Sequence, residues 1–121
     1  MTATRLNPTA AQQHVGDYYS AAWTATSASA FGDKLTGDMV LPAGVYVVTL
    51  SVPWITSTRD PLMYINGLNE RFFFGGSYAT VTYVMKLTSQ TNVYARLGGS
   101  TTLTCDSQDL KRGGIEAVRI A

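Results

Sequence analysis

The chain has little of the chemistry on which most enzymes and metal proteins depend. Its 121 residues include one cysteine, Cys105, and one histidine, His14. A single cysteine excludes a disulfide within the chain, and one cysteine with one histidine cannot complete a four-ligand zinc site. We therefore expect no metal, no cofactor and no disulfide framework.

Charged residues and long apolar runs are also scarce. Charged residues make up 14% of the chain and the formal net charge is +1. This balance does not predict the basic surface that a nucleic-acid-binding protein needs. No apolar run approaches the roughly 20 residues of a membrane helix, and the first residues lack the apolar centre of a signal peptide. We expect a protein that is made in a cytoplasm and binds neither nucleic acid nor membrane.

The length predicts a single domain, because 121 residues support one core and are too few for two domains of ordinary size. Residues 1–16 are mostly Thr, Ala, Asn and Gln, and we interpret them as an extended N-terminal arm. The arm is either disordered or lies along a neighbouring protein, with Arg5 and Leu6 as its anchor. Residues 17–121 then form the folded domain.

Short runs rich in Val, Thr, Tyr, Ile and Phe fill this domain, and Gly, Pro, Asn and Asp separate them. About eight such runs predict an all-β fold, a single antiparallel sandwich of the jelly-roll type. Asn66-Gly67 and Gly98-Gly99 are dipeptides typical of hairpins. Residues 110–112 contain helix formers, but an aspartate and two glycines bracket them, so we predict a loop there.

Alternation of apolar and polar residues predicts which side chains face the core. GIEAVRIA, the last run, fits less well, since it places Glu116 on the same face as Val118 and Ile120, and we interpret it as an edge strand or a contact strand. The predicted core-facing residues of the other runs are Tyr46, Val48, Leu50, Val52, Ala79, Val81, Tyr83, Met85, Leu87, Val93, Ala95, Leu97, Leu103 and Cys105.

Several stretches resemble the globular heads of the C1q/TNF family. In TGDMVLPAGVYVVTLSV, residues 36–52, a Thr-Gly step leads into a short strand, a Pro-x-Gly turn and a strand with an aromatic residue at its start. LMYING, YVMKLTSQTNVYARL and GGIEAVRIA are similar to later strands of that family, in the same order. The likeness covers residues 36–121 and implies a jelly roll that forms trimers. The chain has no collagen-like stalk, and Glu116 and Arg119 replace the family's more apolar ending, so no binding residue is carried over.

A small jelly roll with few charges and a polar arm also resembles virion accessory proteins of tailed bacteriophages, including capsid decoration (cement) proteins and fibre tips. The resemblance implies a non-enzymatic virion protein, present in repeated copies or as a homo-oligomer. Its partners would be the major capsid protein or other virion proteins, and its binding would stabilise an assembled shell. The alternative is a C1q-like trimeric knob at a fibre tip that binds a receptor or glycan.

Catalytic chemistry is hard to assemble from these residues. The one histidine lies in the arm, and no base accompanies a nucleophile, so we expect no enzyme and no catalytic residue. We interpret Cys105 as a buried small hydrophobe whose pKa the adjacent Asp106 raises. The aspartate pairs of the two loops, Asp33 with Asp38 and Asp106 with Asp109, lack the dense spacing of a calcium loop, and we expect solvated turns.

Aromatic residues supply the remaining site candidates. Three consecutive phenylalanines, residues 72–74 in ERFFFGG, cannot all face one side of a strand. They are either buried by a second layer or form an interface, since aromatic and arginine side chains dominate binding energy. Trp54 presents the same choice, and Trp54 or Tyr94 is also a candidate for sugar stacking. The predicted interface residues are Arg5, Leu6, Trp54, Arg59, Arg71, Phe72, Phe73, Phe74 and Tyr94.

Overall fold

A computed structural model describes residues 15–59, 61–68, 72–74, 76–99 and 101–121, with residues 72–74 described by their backbone. The predictions for Arg5, Leu6 and Arg71 lie outside these residues, as does the prediction for His14. The described chain is almost entirely β-structure, and its sheets are antiparallel, as the sequence predicted. The finer assignment to a jelly roll stays a prediction.

Twelve strands lie within the described residues, and most of them are short. They are β1 (Tyr18–Ala22), β2 (Ser27–Ala28), β3 (Met39–Leu41), β4 (Gly44–Ser51), β5 (Thr56–Ser57), β6 (Leu62–Ile65), β7 (Phe72–Phe74), β8 (Thr80–Leu87), β9 (Thr91–Val93), β10 (Ala95–Leu97), β11 (Leu103–Thr104) and β12 (Gly114–Arg119).

The largest sheet has four strands in the order β1-β12-β4-β8. Strand β12 pairs with β1 on one side and β4 on the other, so of the two predicted alternatives, an edge strand or a contact strand, the edge strand is wrong. Its inner residues Ile115 and Ala117 are buried, while Glu116 and Val118 face outward. The outward glutamate that suggested an edge therefore lies on the solvent face of a central strand.

The other strands form the opposing layer. Strands β10, β6 and β7 make one sheet, β3 and β9 a second, and β2, β11 and β5 a third. Only Tyr94 separates β9 from β10 along the chain, so the first two sheets meet there. The segment before β3 lies beside β10, because Lys34 bridges Arg96 and the Leu35 N–H donates to the Ala95 carbonyl at 2.8 Å.

The core lies between these layers, and alternation predicted most of it; Ala79, Val81 and Tyr83 were predicted to face the core but are only half-buried. Strand β4 faces the core with Tyr46, Val48 and Leu50, each 0% exposed. Strand β8 buries Met85 and Leu87, whereas Val81 is only half-buried. Trp23, 1% exposed, is a further large core residue, and its indole N–H donates to the Ala25 carbonyl at 2.9 Å. Buried aromatic groups with a satisfied polar atom stabilise a core of this size.

Two local predictions were wrong. Residues Leu110–Arg112 form one turn of 3-10 helix instead of an open loop, with the Gly113 N–H donating to the Leu110 carbonyl. Gly98-Gly99 is not a hairpin, because it connects β10 to β11 in different sheets. No helix among the described residues is long and apolar enough to cross a membrane.

Candidate protein-binding surfaces

The outward side of the four-stranded sheet carries a row of apolar side chains. Register places Tyr18, Val118, Val47 and Val84 side by side on β1, β12, β4 and β8. Tyr18 is 60% exposed, Val118 37% and Val84 65%. Val45 and Ile120 lie beside this row, and Ile120 is 43% exposed. We call these six residues the outer sheet face.

A polar row borders the outer sheet face. It crosses the same strands with Ser20, Glu116, Thr49 and Thr82. The Tyr18 hydroxyl donates to the Glu116 carboxylate at 2.7 Å, and this hydrogen bond raises the pKa of Tyr18. The two threonine hydroxyls approach within 3.3 Å. The sheet therefore presents an apolar half and a hydroxyl-rich half, with few charges on either.

A pair of exposed aromatic rings lies beyond the end of β4. Trp54 is 51% exposed and Tyr78 57%, and their ring centroids are 5.9 Å apart. Tyr78 has a φ of 63°, in the left-handed region that residues other than glycine rarely adopt. Backbone bonds hold this conformation, since the Tyr78 N–H donates to the Val52 carbonyl at 2.9 Å. The exposed ring is thus held in place at a cost in backbone strain.

Ser77, the residue before Tyr78, links the Tyr78 turn to the turn that carries Trp54. The Ser77 hydroxyl accepts from the Ile55 N–H at 2.8 Å and donates to the Ile55 carbonyl at 2.9 Å. Both aromatic residues therefore lie on turns that are hydrogen-bonded to each other. This bonding suits binding, because the backbone of the two turns has little freedom left to lose.

A third cluster surrounds Tyr94 on the opposing layer. The Lys34 ammonium lies 4.5 Å from the centre of the Tyr94 ring. The Arg96 guanidinium lies 5.8 Å from the same ring and 5.2 Å from the ring of Tyr64. Phe31 stacks on Tyr64 with centroids 5.8 Å apart and an interplanar angle of 26°. Tyrosine, arginine and phenylalanine are enriched at interfaces, so this cluster is a third candidate surface.

The structure places the predicted interface residues in separate regions. Trp54 belongs to the ring pair with Tyr78, and Tyr94 to the cluster with Arg96. Arg59 is exposed and follows β5. Phe72–Phe74 form β7, which pairs with β6, and the structure describes only the backbone of these three residues.

Sequence reasoning missed several members of these surfaces. Alternation indicated that Arg96 points outward with Tyr94, but nothing in the sequence brought Phe31 or Lys34 to them. Both precede β3, and they reach the cluster through the bridge to β10. Tyr78 was missed as an exposed residue because its left-handed backbone follows no sequence pattern.

The described residues contain no group of three or more His, Cys, Asp or Glu side chains that could hold a metal ion. The Asp33 carboxylate accepts from the Ala30 N–H at 3.0 Å and the Ser29 N–H at 3.1 Å, and these bonds lower its pKa. Cys105 is 6% exposed. Burial is the largest cause that raises its pKa, followed by the charges of Asp109 and of the predicted neighbour Asp106.

No protein-family model matches the chain, and no curated protein shows significant sequence similarity to it. The functional conclusion therefore depends on the surfaces described above and on what their side chains bind.

Proposed function

We propose that the chain is a non-enzymatic structural protein of a virion, a capsid decoration or cement protein that binds an assembled shell. The observation that supports this proposal is the outer sheet face. Six outward positions of about 4.8 by 6.8 Å each cover roughly 200 Å², and Lys86 lies opposite Val45 at the border of this area. The largest apolar patch of a monomeric protein, commonly about 300–600 Å², is often its functional surface.

The composition of this surface also suits contact with another protein. Its apolar row is bordered by hydroxyl groups, and the few charges leave little desolvation cost when water is excluded. Binding that occurs only on the assembled shell favours assembly by mass action. Many modest contacts, one for each copy, would thereby stabilise the shell.

The experiment is co-sedimentation of the full chain with shells of the major capsid protein encoded in the same genome. Val84→Lys puts a charge at the β8 edge of the outer sheet face, on its most exposed residue, and should weaken attachment about tenfold or more. Val40→Lys is the matched control, because Val40 is 49% exposed but belongs to β3. Equal attachment of both variants, or no attachment of the wild type, would reject the proposal.

A second candidate function is a C1q-like trimeric knob at a fibre tip. It is favoured by the exposed Trp54 and Tyr78 rings, which suit a receptor or glycan at a free end. In this case the outer sheet face would be covered by copies of the same chain. Light scattering tests the knob: it predicts a trimer at all concentrations that Val84→Lys dissociates. A chain that is monomeric in solution, or a trimer that Val84→Lys leaves intact, would contradict the knob.

A further inference from the structure

Arg96 is held in a fixed orientation at the surface of β10. Its Nε donates to the Gly32 carbonyl at 3.1 Å, and the rings of Tyr64 and Tyr94 lie within 6 Å of the guanidinium. Gly32 has a φ of 90°, and a Cβ atom at this position would lie 2.8 Å from Nη2. The left-handed backbone favours glycine at this position, and an added Cβ atom would push the guanidinium away from its present place.

The terminal nitrogens of Arg96, Nη1 and Nη2, are not held by a hydrogen bond of this kind within the described part of the chain. Among the described residues, no group receives a hydrogen bond from Nη1 or Nη2. The neighbouring carboxylates are engaged elsewhere, since Asp33 binds backbone N–H groups of its own turn and Asp38 pairs with Lys34. A planar fork of donors in a fixed position is the geometry that binds a carboxylate through two parallel hydrogen bonds.

A flat apolar surface adjoins this fork. Phe31, 63% exposed, stacks on Tyr64, whose ring centre lies 5.2 Å from the guanidinium. On the far side of the cluster, Asn92 donates to Asp38 at 3.2 Å, so polar groups that can bind hydroxyls lie beside Lys34. Ring faces, a carboxylate-binding fork and hydroxyl-binding groups therefore occur together.

We propose that this cluster binds an acidic sugar, a pyranose ring that carries a carboxylate. The carboxylate binds the terminal nitrogens of Arg96, and the ring packs on Phe31. A peptide strand is the less favoured occupant, because the adjacent edge of β10 is already covered by the segment that bridges Lys34 to Arg96. Recognition here depends on side chains, which suits a compact ring. The inference is independent of attachment to a shell, since this cluster and the outer sheet face lie on different layers.

The test is a titration of the isotopically labelled full chain, followed by its amide NMR signals. Glucuronic acid is the probe, and glucose is its matched control because a hydroxymethyl group replaces the carboxylate and the ring is otherwise the same. N-acetylneuraminic acid tests a second acidic ring, and acetate tests the carboxylate without a ring. We expect shifts at Gly32 and Arg96 with the two acids, none with glucose, and at least about tenfold weaker binding of acetate.

Two variants assign the binding to these side chains. Arg96→Gln should weaken glucuronic acid binding about tenfold or more, since a charge-assisted bidentate contact is lost. Phe31→Ala changes an exposed side chain and should weaken binding about threefold or more. Arg119→Gln is the control, because the Arg119 Nε also donates to a carbonyl, that of Ala121, at 3.1 Å, and no ring contact accompanies it within the described residues.

Four results with these probes and variants would overturn the inference. They are no shifts with either acid at about 50 mM, which corresponds to binding weaker than about 2 kcal/mol, equal binding of glucose, equal binding of acetate, and equal losses in the Arg96 and Arg119 variants. Tighter, Arg96-dependent binding of a glutamate-containing peptide than of either sugar would also overturn it, and would assign the cluster to a protein partner.

Discussion

Thr36 is the buried polar residue on which the junction between the strands β3 and β10 depends. It is 0% exposed, and its hydroxyl accepts from the Ala95 N–H at 3.0 Å and donates to the Gly37 carbonyl at 3.0 Å. Ala95 is also 0% exposed. Thr36→Val preserves the shape of the side chain but leaves the Ala95 N–H buried without an acceptor.

The expected magnitude follows from two opposing terms. A buried donor left unsatisfied costs about 1–3 kcal/mol. The methyl group that replaces the hydroxyl recovers up to about 0.8 kcal/mol of apolar burial. We therefore expect Thr36→Val to lower the free energy of unfolding by about 1–2 kcal/mol, which corresponds to roughly 3–8 °C in Tm for a domain of this size.

Urea denaturation followed by tryptophan fluorescence measures this change, because Trp23 is buried in the folded chain. Thr49→Val is the matched control, since Thr49 lies on the outward face of β4 and contacts the hydroxyl of Thr82. We expect less than about 0.5 kcal/mol from the control. If Thr36→Val were as mild as Thr49→Val, the Thr36 hydroxyl would not be the acceptor that the Ala95 N–H requires.

Three further predictions concern other parts of the fold. Hydrogen bonds from Ala30 and Ser29 lower the pKa of Asp33 in the folded state. The Asp33 carboxylate therefore stabilises the fold above its unfolded pKa of about 3.9, and this stabilisation is lost as the pH falls through the lower folded pKa. The stability of Asp33→Asn should consequently fall less steeply with acid than that of the wild type. Burial raises the pKa of Cys105, so at pH 8 a thiol reagent should react slowly with the native chain and rapidly after unfolding, and equal rates would contradict this. Leu50→Ala should cost about 2–5 kcal/mol in chemical denaturation, because Leu50 is 0% exposed, and a cost under 1 kcal/mol would argue against a close-packed core there.

The faces of the long strands could be predicted from the sequence because a strand buried on one side imposes a period of two. Tyr46, Val48 and Leu50 followed this rule in β4. The rule worked less sharply at β8, where Val81 is only half-buried, since β8 lies at the edge of its sheet and β4 does not. The all-β class could be predicted for the same reason.

Strand order and the composite surfaces could not be predicted, because they depend on pairing between distant segments. Nothing local in β12 specifies that it lies between β1 and β4. The cluster around Arg96 likewise contains Phe31 and Lys34, which lie much earlier in the chain, and Tyr64, which comes from a third segment between those two residues and Arg96. An outward tyrosine or arginine has the same local pattern whether or not such neighbours are present.

The central position of β12 has a consequence for how the chain folds during synthesis. Strands β1 and β4 do not pair with each other, and β12 joins them. Until residues 114–119 have left the ribosome, one edge of β4 and one edge of β1 are therefore without their partner. Sheets that depend on such long-range pairing fold slowly and expose strand edges while they wait. Elongation rate and chaperone contact should thus affect the yield of this protein more than its modest size suggests.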